Sequence, residues 1–186
     1  MKNIKGLIWI ILLAVIIMNA KNIARQFFPI KYTKYILQYS KQYDLDPYLV
    51  SAVIKTESNF DKNARSNKNA CGLMQITPDT AQWAAEKMNI KNFDKKMLSD
   101  PEFNIKMGCW YLDNLKEEFG GNIDVVLAAY NGGRGNVEKW LKNSQHSLDG
   151  KNLHYIPFKE TDKYVKKIRV NYRIYKYLYK DNLSKT

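Results

Sequence analysis

The stretch Asp46-Pro47-Tyr48-Leu49-Val50-Ser51-Ala52-Val53-Ile54-Lys55-Thr56-Glu57-Ser58 decides the fold. Asp46 offers a capping carboxylate, and Pro47 sits at the first helical position, where a missing N–H loses no bond. Leu49, Val50, Val53 and Ile54 then recur at helical spacing, so the segment predicts a helix running to about Glu57 and Ser58. The same punctuation returns at Thr77-Pro78 and Asp100-Pro101. Beyond Pro101, the residues Phe103, Ile105, Met107, Trp110, Tyr111, Leu112 and Leu115 predict a long, mostly buried helix that stops near Gly120-Gly121. Ile123 to Tyr130 predicts a shorter helix closed by Gly132-Gly133, and Val137, Trp140 and Leu141 predict another. Tyr164, Ile168, Tyr172, Tyr175 and Tyr179 place a last helix over roughly Glu160 to Tyr179. Alternating β-branched runs between tight turns are scarce. The fold class is therefore all-α, in a domain from about Tyr32 to Leu178. Residues 143–158 form a long irregular stretch, expected as a surface loop on the substrate side.

With 186 residues and 45% hydrophobic content, one ordered domain is the default. Thirty Lys+Arg against 18 Asp+Glu give a net charge of +12, which favours an anionic partner: nucleic acid, anionic lipid or anionic cell-wall polymer. The N-terminus narrows that choice. Lys2 and Lys5 precede Leu7-Ile8-Trp9-Ile10-Ile11-Leu12-Leu13-Ala14-Val15-Ile16-Ile17-Met18, a run without a polar residue, as in an export signal. Two outcomes stay open. Residues Gly6 to Ala24 serve as an uncleaved transmembrane anchor, with Lys21 snorkelling, or the segment is removed after Ala20 and the domain is secreted. Either way the domain, residues 31–186 after an N-terminal hydrophobic segment and short linker over 1–30, is expected outside the cytoplasm. No nucleic acid is then expected as partner. Cys71 and Cys109 are the only cysteines. In that compartment they are either a disulfide or two small buried thiols. His146 and His154 add no ligand spacing to them, so no metal is expected, and no cofactor is implied.

Most glutamates at helix ends are solvated surface residues. Glu57 is set apart by Val50, Val53 and Ile54 before it and Phe60 after it, because an acid against apolar surface has its charged form disfavoured. A raised pKa keeps a carboxyl protonated near neutrality and able to donate to a leaving oxygen. Gly72-Leu73-Met74-Gln75 follows. Gly72 permits a turn that side chains would block, and Gln75 offers a donor and an acceptor suited to sugar hydroxyls and amides. Leu73 and Met74 read as readily as core. Taken singly, Tyr130 reads as a buried aromatic, Asn131 as a helix-terminal residue, Ser66 as a turn residue, and Glu160 as an acid at a helix start.

As an ordered set, Glu57-Ser58, Gly72-Leu73-Met74-Gln75, Ala129-Tyr130-Asn131 and Glu160-Thr161 with Tyr164-Val165 resemble the motifs of soluble-type lytic transglycosylases, peptidoglycan-cleaving enzymes with a goose-lysozyme-like helical domain. The resemblance runs from about Tyr35 to Tyr177. It implies that Glu57 is the catalytic acid/base. It implies that Ser66 lies near the substrate's acetamido or oxocarbenium region and that Gln75 contacts substrate. Tyr130 is implied to hydrogen-bond near the catalytic acid, with Asn131 beside it in the cleft and Glu160 as a second glutamate of the groove. Ser58, Gly72, Leu73, Met74 and Tyr164 complete the implied substrate-binding set. One departure is visible: many relatives carry a methionine two residues after the glutamine, where this chain has Thr77, itself a helix-cap residue.

The implied reaction needs a single acid. Glu57 protonates the oxygen linking N-acetylmuramic acid to N-acetylglucosamine, the acetamido group stabilises the developing cation, and Glu57 then takes the proton of the muramyl 6-hydroxyl to yield a 1,6-anhydro end. Ordinary glycosidases use two carboxyl groups. Asp61, the nearest further acid, sits between Phe60 and Lys62 in what reads as a solvated turn. Rival readings are a hydrolytic goose-type lysozyme on the same fold and a non-catalytic wall-binding module. A monomer acting on peptidoglycan glycan strands is expected.

Overall fold

The computed structural model describes residues 2–180, the side chains of residues 2–8 and 10–12 excepted. Its helices in chain order are α1 (Lys2–Phe27), α2 (Thr33–Gln42), α3 (Pro47–Glu57), α4 (Pro78–Lys87), α5 (Pro101–Glu118), α6 (Ile123–Gly132), α7 (Arg134–Leu141) and α8 (Lys159–Tyr179), with a 3-10 turn at Lys95–Ser99. Among the described residues no strand forms; two isolated bridges, Arg65 to Cys71 and Cys71 to Ile76, pin a loop between α3 and α4. The class is all-α, as the sequence predicts.

The three Asp/Thr-Pro signatures each cap a helix. Asp46 accepts from Tyr48 N at 2.8 Å, Thr77 from Thr80 N at 3.2 Å, and Asp100 from Phe103 N at 2.8 Å. By contrast, α2 carries no such signature. Its cap position is Tyr32 at φ 59°, without a side-chain cap bond.

Helix α3 is the hydrophobic centre, buried continuously from Tyr48 to Ile54. Along it lies α8, and α6 packs against both α8 and α5. Val125 to Ala129 of α6, Ile105, Leu112 and Leu115 of α5, and Ile168 and Tyr175 of α8 meet there with essentially no exposed surface. Burying one such side chain contributes about 1.5–3 kcal/mol. Asn171 of α8 donates to Thr56 Oγ1 of α3 at 2.9 Å, which fixes how far one helix slides along the other.

The foot of α1 is docked to the end of α8. Arg25 donates through Nε and Nη2 to Leu178 O at 3.1 and 2.6 Å, while Tyr175 and Tyr179 donate to Pro29 O and Phe28 O at 3.2 and 2.9 Å. Among the described residues no helix is long and apolar enough to cross a membrane, so the expected membrane-spanning helix finds no support. Among the described side chains of α1, the apolar stretch Leu13 to Met18 is followed by Asn19, Lys21, Asn22 and Arg25. Side chains 7, 8 and 10–12, on which the expectation also rested, lie outside the described residues.

Candidate active site

Glu57 is the last residue of α3, and Ser58 closes that helix by donating to Ile54 O at 3.2 Å and Leu73 O at 2.8 Å. The second bond brings the 71–75 loop against the acid. Tyr164 of α8 donates its phenol to Glu57 Oε1 at 2.6 Å. Burial pushes the Glu57 carboxyl from 4.5 up to about 7; the Tyr164 bond and the Lys167 charge pull it down, and Glu160 pushes it up again. Glu160, Tyr164 and Lys167 stand four and three residues apart on α8, one helical face turned to a single acid. Glu57 forms no ion pair among the described residues. Its side chain is only partly covered, so the neutral acid has an open side.

That side is a groove of about 360 Å³, lined by Glu57, Ser66, Asn67, Lys68, Ala70, Gln75, Thr77, Tyr130, Asn131 and Glu160. A larger hollow of about 520 Å³ lies at the other end of α3, over Leu45, Leu49 and Leu127. Two of its three acids, Asp44 and Asp124, are ion-paired with Lys116 and Arg169, unlike Glu57.

The expected substrate residues divide into three groups. Glu57, Ser66, Gln75, Tyr130, Asn131 and Glu160 share the groove. Thr161 donates to Asn131 Oδ1 at 2.8 Å, which leaves the Asn131 amide N–H group for a ligand. Ser66 Oγ accepts from Lys68 N at 3.2 Å and Ala70 N at 3.1 Å, so it shapes the turn that carries Lys68 into the groove. Gln75, at φ 50°, donates from Nε2 to Ala64 O at 3.1 Å and Gly72 O at 2.9 Å. Its carbonyl oxygen is the atom left for a ligand.

A second group acts from behind the wall. Leu73 and Met74 are fully buried, so they belong to the core and are absent from the groove lining. Gly72 stands at φ 76°, where a Cβ would come within 2.3 Å of Asn104 Nδ2, so only glycine fits. Ser58 is likewise a tether.

The third group is the pair of phenols. Tyr130 donates to Met74 O at 2.8 Å, and the phenol bonded to Glu57 itself belongs to Tyr164. Both phenols are driven well above their ordinary pKa, by burial first and then by the Glu57 charge, so each stays protonated and able to donate.

Residues 143–158, expected on the substrate side, contribute nothing to the groove lining among the described residues. Leu153, His154, Tyr155 and Ile156 line a separate hollow over Val165 and Arg169 of α8. Cys71 and Cys109 are free and buried, so the two-thiol alternative is the one observed; burial pushes the Cys109 thiol far up.

Sequence reasoning missed Asn104 and Lys167, and named Thr161 only within the Glu160-Thr161 motif, without a role. Asn104 had a signal: it shares one helical stripe with Gly108, Tyr111, Leu112 and Leu115, and a polar residue inside a buried stripe needs partners. Lys167 and the partner of Thr161 had none, since both depend on how α8 lies on α3 and α6.

Residues 34–153 match the family described as "Transglycosylase SLT domain". The chain is 34% identical over 156 residues to the soluble lytic murein transglycosylase of Escherichia coli K12, covering 83% of this chain and 24% of that protein. It is 35% identical over 143 residues to the protein of the same name from Salmonella typhimurium, covering 76% and 22%. Among solved structures, an inactive mutant of lytic transglycosylase Slt from Pseudomonas aeruginosa superposes with TM-score 0.72 at 32% identity, over 81% of this chain and 24% of that one. The complex of the 70-kDa soluble lytic transglycosylase with bulgecin A superposes with TM-score 0.76 at 30% identity, over 88% and 27%. The chain thus spans about a quarter of the length of these relatives. On its match over most of its length, the chain belongs to the transglycosylase SLT domain family.

Proposed function

We propose that this protein is a peptidoglycan lytic transglycosylase. It cleaves the β-1,4 bond between N-acetylmuramic acid and N-acetylglucosamine and leaves 1,6-anhydromuramyl ends. The observation that carries this reading is the half-open carboxyl of Glu57, held near pKa 7 by burial beside a groove rimmed with amides. An acid poised there gives a proton to the glycosidic oxygen and, once ionised, accepts one from the 6-hydroxyl, so the same group serves both steps. Tyr164 supports the ionised form between them. Asn131 and Gln75 offer a donor and an acceptor to the acetamido and hydroxyl groups of the sugar rings. Lys68 suits the carboxylates of a muramyl strand.

Residues 31–186 form the catalytic unit in this reading, with 1–30 as the N-terminal segment. The domain works outside the cytoplasm, where its polymer lies. Mass spectrometry of the mature N-terminus tests the placement, since a protein recovered from the cytoplasm with Met1 intact speaks against export.

Glu160 favours a second reading, hydrolysis. It is the other carboxyl group in the groove, and a carboxylate facing the anomeric carbon is what a hydrolase needs to hold water. Product analysis separates the two. Digestion of purified peptidoglycan yields anhydro ends for the transglycosylase and reducing ends for the hydrolase. Glu57→Gln is expected to lower either product by about 10²–10⁴-fold.

A further inference from the structure

We propose that Asn104 is a positioning residue for the sugar-binding wall, acting through the 71–75 loop without touching the groove. This rests on the reading above that the groove holds a glycan strand. Asn104 lies on α5, has no exposed surface, and is absent from the groove lining. Its Oδ1 accepts from Met74 N at 2.8 Å, while its Nδ2 donates to Cys71 O at 3.0 Å and Leu98 O at 2.9 Å. One carboxamide therefore uses an acceptor and two donors in three directions, a set that neither a carboxylate nor a hydroxyl of that length reproduces. Aspartate, the isostere, would aim an oxygen at two carbonyls.

One turn further along α5, Gly108 completes the seat. A Cβ there would fall 2.3 Å from Met74 Sδ, so the absent side chain is the space that Met74 occupies. Asn104 thus grips the loop's backbone and Gly108 receives its side chain.

The gripped loop faces three ways. Leu73 O takes the Ser58 hydroxyl next to Glu57, Met74 O takes the Tyr130 phenol, and Gln75 enters the groove with its N–H group turned back onto Ala64 O and Gly72 O. The Tyr164 bond on Glu57 comes from α8, not from this seat. Loss of the seat therefore weakens glycan binding and leaves that bond in place.

The test measures chitohexaose binding by calorimetry in the Glu57→Gln protein, with the pH profile of peptidoglycan cleavage measured in the parent background. Asn104→Asp is expected to raise Kd at least tenfold and to leave the Glu57-dependent limb of kcat/KM in place. In a Glu57→Gln, Gln75→Ala background the same change is expected to raise Kd less than twofold, because both act through one amide. Gly108→Ala displaces Met74 with all Asn104 bonds retained. It is expected to weaken binding in the same sense, and it answers the question if Asn104→Asp does not fold. A Kd within twofold of the parent for either folded variant, with only Tm lowered, overturns the proposal. Additive effects of Asn104 and Gln75 overturn it too. A parent that cleaves peptidoglycan while these variants bind normally defeats this inference alone, whereas a parent that neither binds nor cleaves glycan defeats the functional reading with it.

Discussion

Glu57 carries one end of every chemical argument made about this molecule, and its behaviour follows from where α3 stops. Moving its pKa from 4.5 to about 7 corresponds to about 3 kcal/mol of disfavoured charge. The folded state binds the proton more tightly than the unfolded chain, so this group adds to stability below about pH 4.5 and loses that contribution as pH rises through about 7. Glu57→Gln should therefore raise Tm at pH 8 and hardly alter it at pH 4, as calorimetry at the two pH values will read. Its cleavage of peptidoglycan should fall by about 10²–10⁴-fold. Tyr164→Phe removes the bond that favours the carboxylate, so Glu57 moves further up. The descending limb of kcat/KM against pH then shifts to higher pH, while Tyr130→Phe, whose phenol serves Met74 O, leaves that limb where it is. The burial of this acid was legible in Val50, Val53 and Ile54. Which tyrosine reaches it was not, because Tyr164 lies 107 residues away and only the docking of α8 on α3 brings it there.

Among the elements, those with a chemical start signal or a sustained helical spacing of apolar residues, as in α8, were readable, and α2 was not. Asp46, Thr77 and Asp100 announce α3, α4 and α5 because an oxygen followed by proline has few other uses. Helix α2 has no such start: Tyr32 stands in the left-handed region with no capping bond, and tertiary packing of Ile36 and Tyr39 holds the helix instead. Residues 143–158 were rightly read as irregular, but nothing in their composition says which face of the domain they cover. Asp46 does double duty, capping α3 and accepting from Tyr172 of α8 at 2.7 Å. Asp46→Ala should cost about 1–2 kcal/mol in urea unfolding, the usual loss of a cap. Since Asp46 lies at the far end of α3 from the groove, KM should stay within twofold.

Across the whole molecule, a net charge of +12 must be reconciled with a groove whose acid avoids ion pairs. Much of the excess sits away from the chemistry, in the lysines and arginines of α8 and the foot of α1. Such a field draws a polyanion to the surface and is screened by salt, with a Debye length of about 10 Å at 0.1 M. Binding of the Glu57→Gln protein to purified wall should therefore weaken several-fold between 50 and 500 mM salt (roughly a threefold shorter Debye length), as pelleting assays will show. Chitohexaose, being uncharged, should bind equally well at both. Helix α8 links these scales, because it supplies the phenol on Glu57, the threonine on Asn131 and the carbonyl that receives Arg25.

The two shielded sulfurs have a practical consequence. Cys109 has no accessible surface and Cys71 is buried, so both sulfurs are shielded from a maleimide in the folded protein. A single cysteine placed at an exposed rim position such as Asn67 would accept a fluorophore or spin label alone, and strand entry could be followed in the otherwise unaltered chain.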